Sequence, residues 1–261
     1  MAAAAMVAFT PAPAHAMDKF EIQVYEPEVN DPGQFGLEAH INYTVRGRRT
    51  PEYPGEVPPD RVGRLTFEPA LGVTRWFELG AYFQTMLEPD GRPRYAGFKL
   101  RGKCVLPKQP WPWFFGINLE IGNVPHAIEE DGWANEIRPI LGYYDGHWLF
   151  DVNPIFGYAL SGPNKLRPDL EPAGKIAYNT QLGAGLGVEY YASLGWIDRG
   201  FLPLRRQDHL VFAVFDLMEP AGHKEEADEG GDWELNLGVG RALTEATPPQ
   251  WIIKAIIGKA F

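Results

Sequence analysis

The sequence predicts an all-β protein, a closed antiparallel up-and-down transmembrane β-barrel of about twelve strands. Three observations point there. Apolar and polar residues alternate with period two from residue 35 onward, tryptophans gather at the starts of those runs, and short turns alternate with long polar loops. Most runs reach the about 9 to 11 residues that cross a hydrocarbon layer at a tilt of about 45°, whereas soluble strands more often stop at about five or six.

Taken in order, Phe35 to Val45 places Phe35, Leu37, Ala39, Ile41, Tyr43 and Val45 opposite Gly36, Glu38, His40, Asn42 and Thr44. Leu65, Phe67, Pro69, Leu71 and Val73 oppose Thr66, Glu68, Ala70 and Gly72, and Phe77, Leu79, Ala81 and Phe83 oppose Glu78, Gly80, Tyr82 and Gln84. Next, Ala96, Phe98, Leu100 and Cys104 are expected on the apolar face, with Gly97, Lys99, Arg101 and Lys103 behind them. Trp113, Phe115, Ile117, Leu119 and Ile121 face away from Asn118 and Glu120, with Phe114 as an exception. Ile137, Pro139, Leu141 and Tyr143 oppose Glu136 and Arg138, and Trp148, Phe150, Val152, Pro154, Phe156 and Tyr158 oppose Asp151 and Asn153. Weaker runs follow at 171–179 and 184–194, where Leu186, Val188 and Tyr190 oppose Glu189. The run at 208–218 is apolar on both faces, so its register stays open. Trp233, Leu235, Leu237 and Val239 oppose Glu234, and Trp251, Ile253, Ala255, Ile257 and Phe261 close the chain. These make twelve strands, with a count of fourteen as the alternative, and Phe20 to Tyr25 adds a strand, plugs the lumen or trails outside.

Six of the eight tryptophans, Trp76, Trp113, Trp133, Trp148, Trp233 and Trp251, fall at the first residues of a strand. An indole buries its ring while its N–H stays wet, so this placement predicts an aromatic girdle at headgroup level. Thr74-Arg75 and Asp145-Gly146 predict tight turns, whereas 46–62, 88–93, 123–132, 161–170 and 195–206 read as longer loops, and 219–231 breaks the alternation. Residues 1–16 (MAAAAMVAFTPAPAHA) end in Ala14-His15-Ala16 and are expected to be the remnant of a secretory signal peptide, though without its basic start. Three segments result: the remnant at 1–16, an extended stretch at 17–34 and the barrel at 35–261.

Composition closes off other classes. With 45% apolar residues and a net charge of −10 in 261 residues, the chain can bury a core and is not disordered. No apolar run approaches the about 20 residues of a spanning helix. Acids outnumber bases 34 to 24, so nucleic acid is not an expected partner. The single Cys104 permits neither an internal disulfide nor a Cys-x-x-Cys zinc site.

The C-terminal strand with its terminal Phe261 resembles the signature by which Gram-negative outer-membrane barrels are recognised for assembly, with Lys259 as a departure on the lipid-facing parity. The stretches 21–43, 68–85 and 135–158 resemble uncharacterised outer-membrane β-barrel proteins of Gram-negative bacteria, loosely similar to outer-membrane transporters. The resemblance covers nearly the whole chain. It implies residence in the outer membrane, with lipid and, through the C-terminal strand, the barrel-assembly machinery as partners, and it transfers no catalytic motif.

In such a barrel the inward face is the candidate site. By parity its acids are Glu38, Glu68, Glu78, Glu120, Glu136, Asp151, Glu171, Glu189, Asp216 and Glu234. Its bases are Arg64, Lys99, Arg101, Lys103, Arg138, Lys175 and Lys254, and His40 stands among them. This mixed lining is unlike the single-sign ring of an ion-selective pore. The ladder Lys99, Arg101, Lys103 is expected to meet acids on adjacent strands such as Glu78 and Glu120. Passage or binding of a small polar solute through a narrow lumen is one reading, and a non-conducting, salt-bridged structural barrel is another. A lipid hydrolase built on His40 would need Ser161 or Ser193, the only serines, neither of which is placed to meet lipid, so the chain is expected not to be an enzyme. His223 with Glu225, Glu226, Asp228 and Glu229 reads as a solvated loop rather than a metal site, and neither metal nor cofactor is expected. Arg46, Arg48, Arg49, Arg205 and Arg206 are loop cations that can meet lipid phosphates or water.

Overall fold

The structure, a computed structural model, describes residues 18–107, 109–180, 183–217 and 233–261. The signal remnant at 1–16 and the acidic run around His223 lie outside the described residues. Twelve antiparallel strands follow one another around a ring. They are β1 (Phe35–Gly47), β2 (Gly63–Thr74), β3 (Phe77–Leu87), β4 (Pro93–Val105), β5 (Trp113–Asn123) and β6 (Trp133–Tyr144). β7 consists of Trp148–Asn153 and Phe156–Ala159, and β8 of Pro168–Leu170 and Ala173–Asn179. β9 (Ala184–Ser193), β10 (Asp208–Leu217), β11 (Trp233–Ala242) and β12 (Pro249–Ala260) complete the set. The alternative count of fourteen comes from the interruptions in β7 and β8, at Pro154 and Pro172, where proline has no N–H to give to a ladder. β12 pairs with β1 from Gly36↔Ala260 to Gly47↔Pro249, closing the sheet.

The apolar parity of each strand faces outward. Leu79, Phe83, Leu100, Ile176, Val239 and Ile253 are exposed, while His40, Glu68, Asn118, Arg138, Asp151 and Lys254 are buried. A contiguous apolar exterior around a charged interior is unstable in water and stable in lipid, because the exposed area far exceeds the few hundred Å² that soluble surfaces tolerate. The chain is therefore an integral membrane barrel. Cys104 lies on the outward parity, half-buried.

One parity expectation fails. Ala96 is fully buried on the inner side, while Tyr95 is exposed. The cause is a bulge: Gln84 pairs with Gly97 and Thr85 with Tyr95, so Ala96 is skipped. Gly97 supplies the φ of +131° that the bulge needs. Both tight turns also centre one residue later than expected. Thr74 pairs with Phe77 around Arg75-Trp76, and the Asp145 N–H reaches Trp148 O around Gly146-His147. The Asp145 carboxylate accepts the N–H groups of Trp148 and His147 at 2.8 and 2.9 Å, which holds its pKa below the usual range.

The six girdle tryptophans are all exposed. Trp76, Trp113, Trp148 and Trp233 mark the end that carries the tight turns and the C-terminus, and Trp133 and Trp251 mark the opposite end. That opposite end carries the connections 48–62, 88–92, 124–132, 160–167 and 194–207. Lys259 lies beside its own aromatic anchors, with Nζ 5.0 Å from the Trp233 ring and 5.2 Å from that of Phe261. A cation at the rim of the lipid layer is thereby accommodated without entering hydrocarbon.

Strands about 4.8 Å apart at a tilt of about 40° give a twelve-stranded ring roughly 24 Å across between backbones. Inward side chains leave a bore of about 10 Å, the thickness of one extended chain with its side chains. One such chain fills it.

Candidate functional site

Residues 18–34 run through the lumen from the loop end to the turn end before β1 begins. At the loop end Phe20 packs with Val62, Met86 and Ala96. There the Arg64 guanidinium lies 5.6 Å from the Phe20 ring, and Asn42 Nδ2 donates to Phe20 O at 3.0 Å. Midway, Lys254 Nζ donates to Ile22 O at 2.9 Å and Arg138 Nη1 to Gln23 O at 3.4 Å. Asn153 brackets Tyr25, accepting its N–H at 2.6 Å and donating to its carbonyl at 3.1 Å. Near the turn end the Asn30 N–H donates to Glu78 at 2.8 Å, and Gly33 and Gln34 bond to Gly72 at 2.8 and 3.0 Å. A closed barrel offers no free edge, so this segment cannot join as a strand, and wall side chains satisfy its backbone instead.

Its sequence fits both walls. Phe20, Ile22 and Val24 alternate with Glu21, Gln23 and Tyr25. Ile22 and Val24 pack on Leu210, Phe212 and Val214 of β10 and Ile252 of β12. The doubly apolar run at 208–218 is thus explained: one face meets lipid and the other meets this segment. Tyr25 faces the charged wall, its hydroxyl bonded to Glu21 and Tyr82. Arg138, Lys103 and Arg101 surround its ring at 4.2, 5.3 and 6.0 Å from the centroid. Each such desolvated contact is worth up to about 2 kcal/mol.

Around the segment the charged residues pair off. Arg101 bridges Glu68 and Glu78, the latter at 2.7 Å. Lys99 reaches Glu120 at 3.0 Å and also Asp18, and Arg138 bonds Glu136 at 2.7 Å. Lys175 joins Asp216 at 3.0 Å and Glu26 at 2.9 Å, and Lys254 binds Glu189. Arg64 donates to Thr44 at 2.9 Å, Asp151 accepts from Asn153 at 2.9 Å, and the half-buried Glu234 lies against Gly258. His40 Nε2 sits 3.0 Å from Glu68 and 3.3 Å from Glu38. These three side chains are close enough to share a metal ion. Arg101 on the same Glu68 carboxylate disfavours a second cation there, and the geometry suits an imidazole held between two carboxylates. The serines are engaged elsewhere: Ser161 Oγ accepts the Trp133 N–H at 2.8 Å, and Ser193 is buried in the wall. Loop arginines Arg48 and Arg49 bind acids of their own loop, Glu56 at 2.8 Å and Asp60 at 3.1 Å.

Parity located the wall residues and missed the occupant. Tyr25, Tyr82, Glu21 and Asn153 form the centre of the lumen; parity put Tyr82 and Asn153 on the inner face, and the sequence signals for Glu21 and Tyr25 were the short alternation at 20–25 and the doubly apolar run it covers. The close approach at Gly72 gives a direct check. A Cβ there would lie 2.2 Å from Asp31 O and 2.3 Å from Asn30 O. Gly72→Ala is expected to dislodge the turn at 30–34 and make it susceptible to protease, while the folded barrel keeps its mobility in detergent gels.

No family model matches the sequence, and no curated protein matches it. Among solved structures, the chain is similar to the COG4313 outer membrane channel from Pseudomonas putida F1, with 12% identity, a TM-score of 0.61, and coverage of 92% of this chain and 100% of that one. It is also similar to the KdgM porin, with 9% identity, a TM-score of 0.53, and coverage of 87% and 99%. The fold is that of Gram-negative outer-membrane channels.

Proposed function

We propose that this protein is a gated outer-membrane passage for a small polar solute, held shut by residues 18–34. The observation that carries this reading is the way the segment is held. Its backbone is bound by wall side chains, among them Asn42, Asn153, Arg138 and Lys254, whose hydrogen bonds water can replace. Its apolar contact is confined to Phe20, Ile22 and Val24. Withdrawal would leave a bore lined by paired charges, which retains water and imposes no single-sign selectivity. The dense pairing of Arg101, Lys99, Arg138, Lys175 and Lys254 with wall acids also favours a second reading, a rigid barrel that never conducts.

Solute uptake into liposomes separates the two. Losing even one contact of about 2 kcal/mol at Tyr25 multiplies the withdrawn population roughly thirtyfold. Tyr25→Ala is therefore expected to admit a neutral monosaccharide several times faster than the full chain. Uptake at the lipid background for both proteins would support the non-conducting barrel.

A further inference from the structure

Within the described strands only three charged residues are exposed, Arg46, Arg94 and Arg241, and all three lie at the loop end. The exposed charge of the strands is thus wholly positive and at one level. Arg94 is bound to Glu88, and the neighbouring cations Arg48 and Arg49 are taken by Glu56 and Asp60. Among the described residues no acid pairs with Arg46 or Arg241. Both are partners of one residue instead: Trp251 of β12, exposed at the girdle, pairs with Arg46 of β1 on one side and with Arg241 of β11 on the other. Strict alternation would turn Arg46 into the lumen, since Thr44 two residues earlier is fully buried. A bulge prevents it. Thr44 pairs with Ile252 and Arg46 with Trp251, so Val45 is the extra residue, and Val45 and Arg46 are both exposed. Cross-strand partners share a face, so Arg46, Trp251 and Arg241 stand in one outward row. With strands about 4.8 Å apart, the backbones of the two arginines lie roughly 10 Å from each other across the indole.

The Arg241 guanidinium lies 5.2 Å from the Trp251 ring. Stacking uses the face of a guanidinium and leaves its N–H edge free for an oxyanion, which it meets bidentately. The indole fixes the depth of the row at headgroup level, and in outer-membrane barrels the longer loops face the outside. A cation on the lipid face is tolerated near the interface and not at the midplane. With no acid of the protein on these two arginines, their counter-charge has to come from the lipid, and phosphate is the anion found at that depth. We propose that Arg46, Trp251 and Arg241 form a docking site for a phosphate-bearing lipid of the outer leaflet, its phosphate held between the two arginines and its chain against Trp251 and the exposed Ile253. The row faces away from the lumen, so the site is independent of whether the barrel conducts.

Native mass spectrometry of the refolded full chain tests the assignment, with dioleoyl phosphatidic acid as the probe. Dioleoyl phosphatidylcholine, which has the same tails and a phosphate masked by choline, is the reference. The chain is expected to bind phosphatidic acid at least about fivefold more tightly than phosphatidylcholine, as charge-assisted contacts to an open phosphate require. Arg46→Gln combined with Arg241→Gln is expected to remove that preference, and each single change to weaken it. Arg94→Gln, which takes away a cation already held by Glu88, should leave the preference intact. An excess of inorganic phosphate should not displace the lipid, because the chain contributes to its hold. All variants should keep the gel mobility of the folded barrel. Equal affinity for the two lipids, an intact preference in the folded double variant, the same loss in Arg94→Gln, or displacement by inorganic phosphate would overturn the proposal.

Discussion

Refolded protein lacking residues 18–30 is expected to conduct ions at a level at least about tenfold above the full chain in planar bilayers, because a roughly 10 Å bore is the space one extended chain vacates. The deletion removes Phe20, Ile22, Val24 and Tyr25 but no strand. The barrel retains its complete ladder, including the β12–β1 closure. Four of the cations that lose contacts keep acid partners on the wall: Arg138 retains Glu136, Lys254 retains Glu189, Lys175 retains Asp216 and Lys99 retains Glu120, whereas Lys103 and Arg64 lose the Tyr25 and Phe20 rings. Water entering the bore solvates what remains, so the cost falls on the apolar patch of Leu210, Phe212 and Ile252. The unheated variant should still migrate apart from a boiled sample. A folded variant with no more current than the full chain would show that something other than this segment closes the lumen.

Arg101→Met is expected to be the most destabilising single substitution in the wall. Arg101 lies between Glu68 and Glu78, all three almost fully buried. Removing one partner of a buried ion pair leaves an uncompensated charge and typically costs about 3 to 5 kcal/mol. Here two carboxylates lose their shared cation. Glu68 then keeps His40, and Glu78 keeps Asn30. The temperature at which the folded band converts to the unfolded one should drop markedly, and Arg101→Met combined with Glu78→Gln should recover part of the loss by removing one orphaned charge. An unchanged transition would mean that water already screens the pair and that the lumen is wet.

The wall was legible in the sequence because lipid and lumen impose opposite chemistry on successive residues, and a one-residue error would expose every charge on a strand. Glu68, Arg101, Glu120 and Arg138 follow from parity alone. Parity failed at Ala96, where a bulge at Gly97 adds a residue without changing the apolar pattern that precedes it. It failed differently at Phe20 to Tyr25. An extended segment between an apolar patch and a charged wall alternates just as a strand does, and only closure of the barrel distinguishes the two. The apolar inner face of β10 was the trace that segment left on the wall.

The central claim is that residues 18–34 occupy the lumen, and the accessibility of single cysteines measures it most directly. In a Cys104→Ala background, Val24→Cys sits where the chain is 3% exposed, and Asp31→Cys sits at the exposed turn. With a charged, membrane-impermeant thiol reagent, Val24→Cys should react at least about 100-fold more slowly than Asp31→Cys in the folded barrel, since labelling must wait for the segment to open. Both should react alike after boiling. Labelling of Val24→Cys at the rate of Asp31→Cys in the folded protein would contradict an occupied lumen.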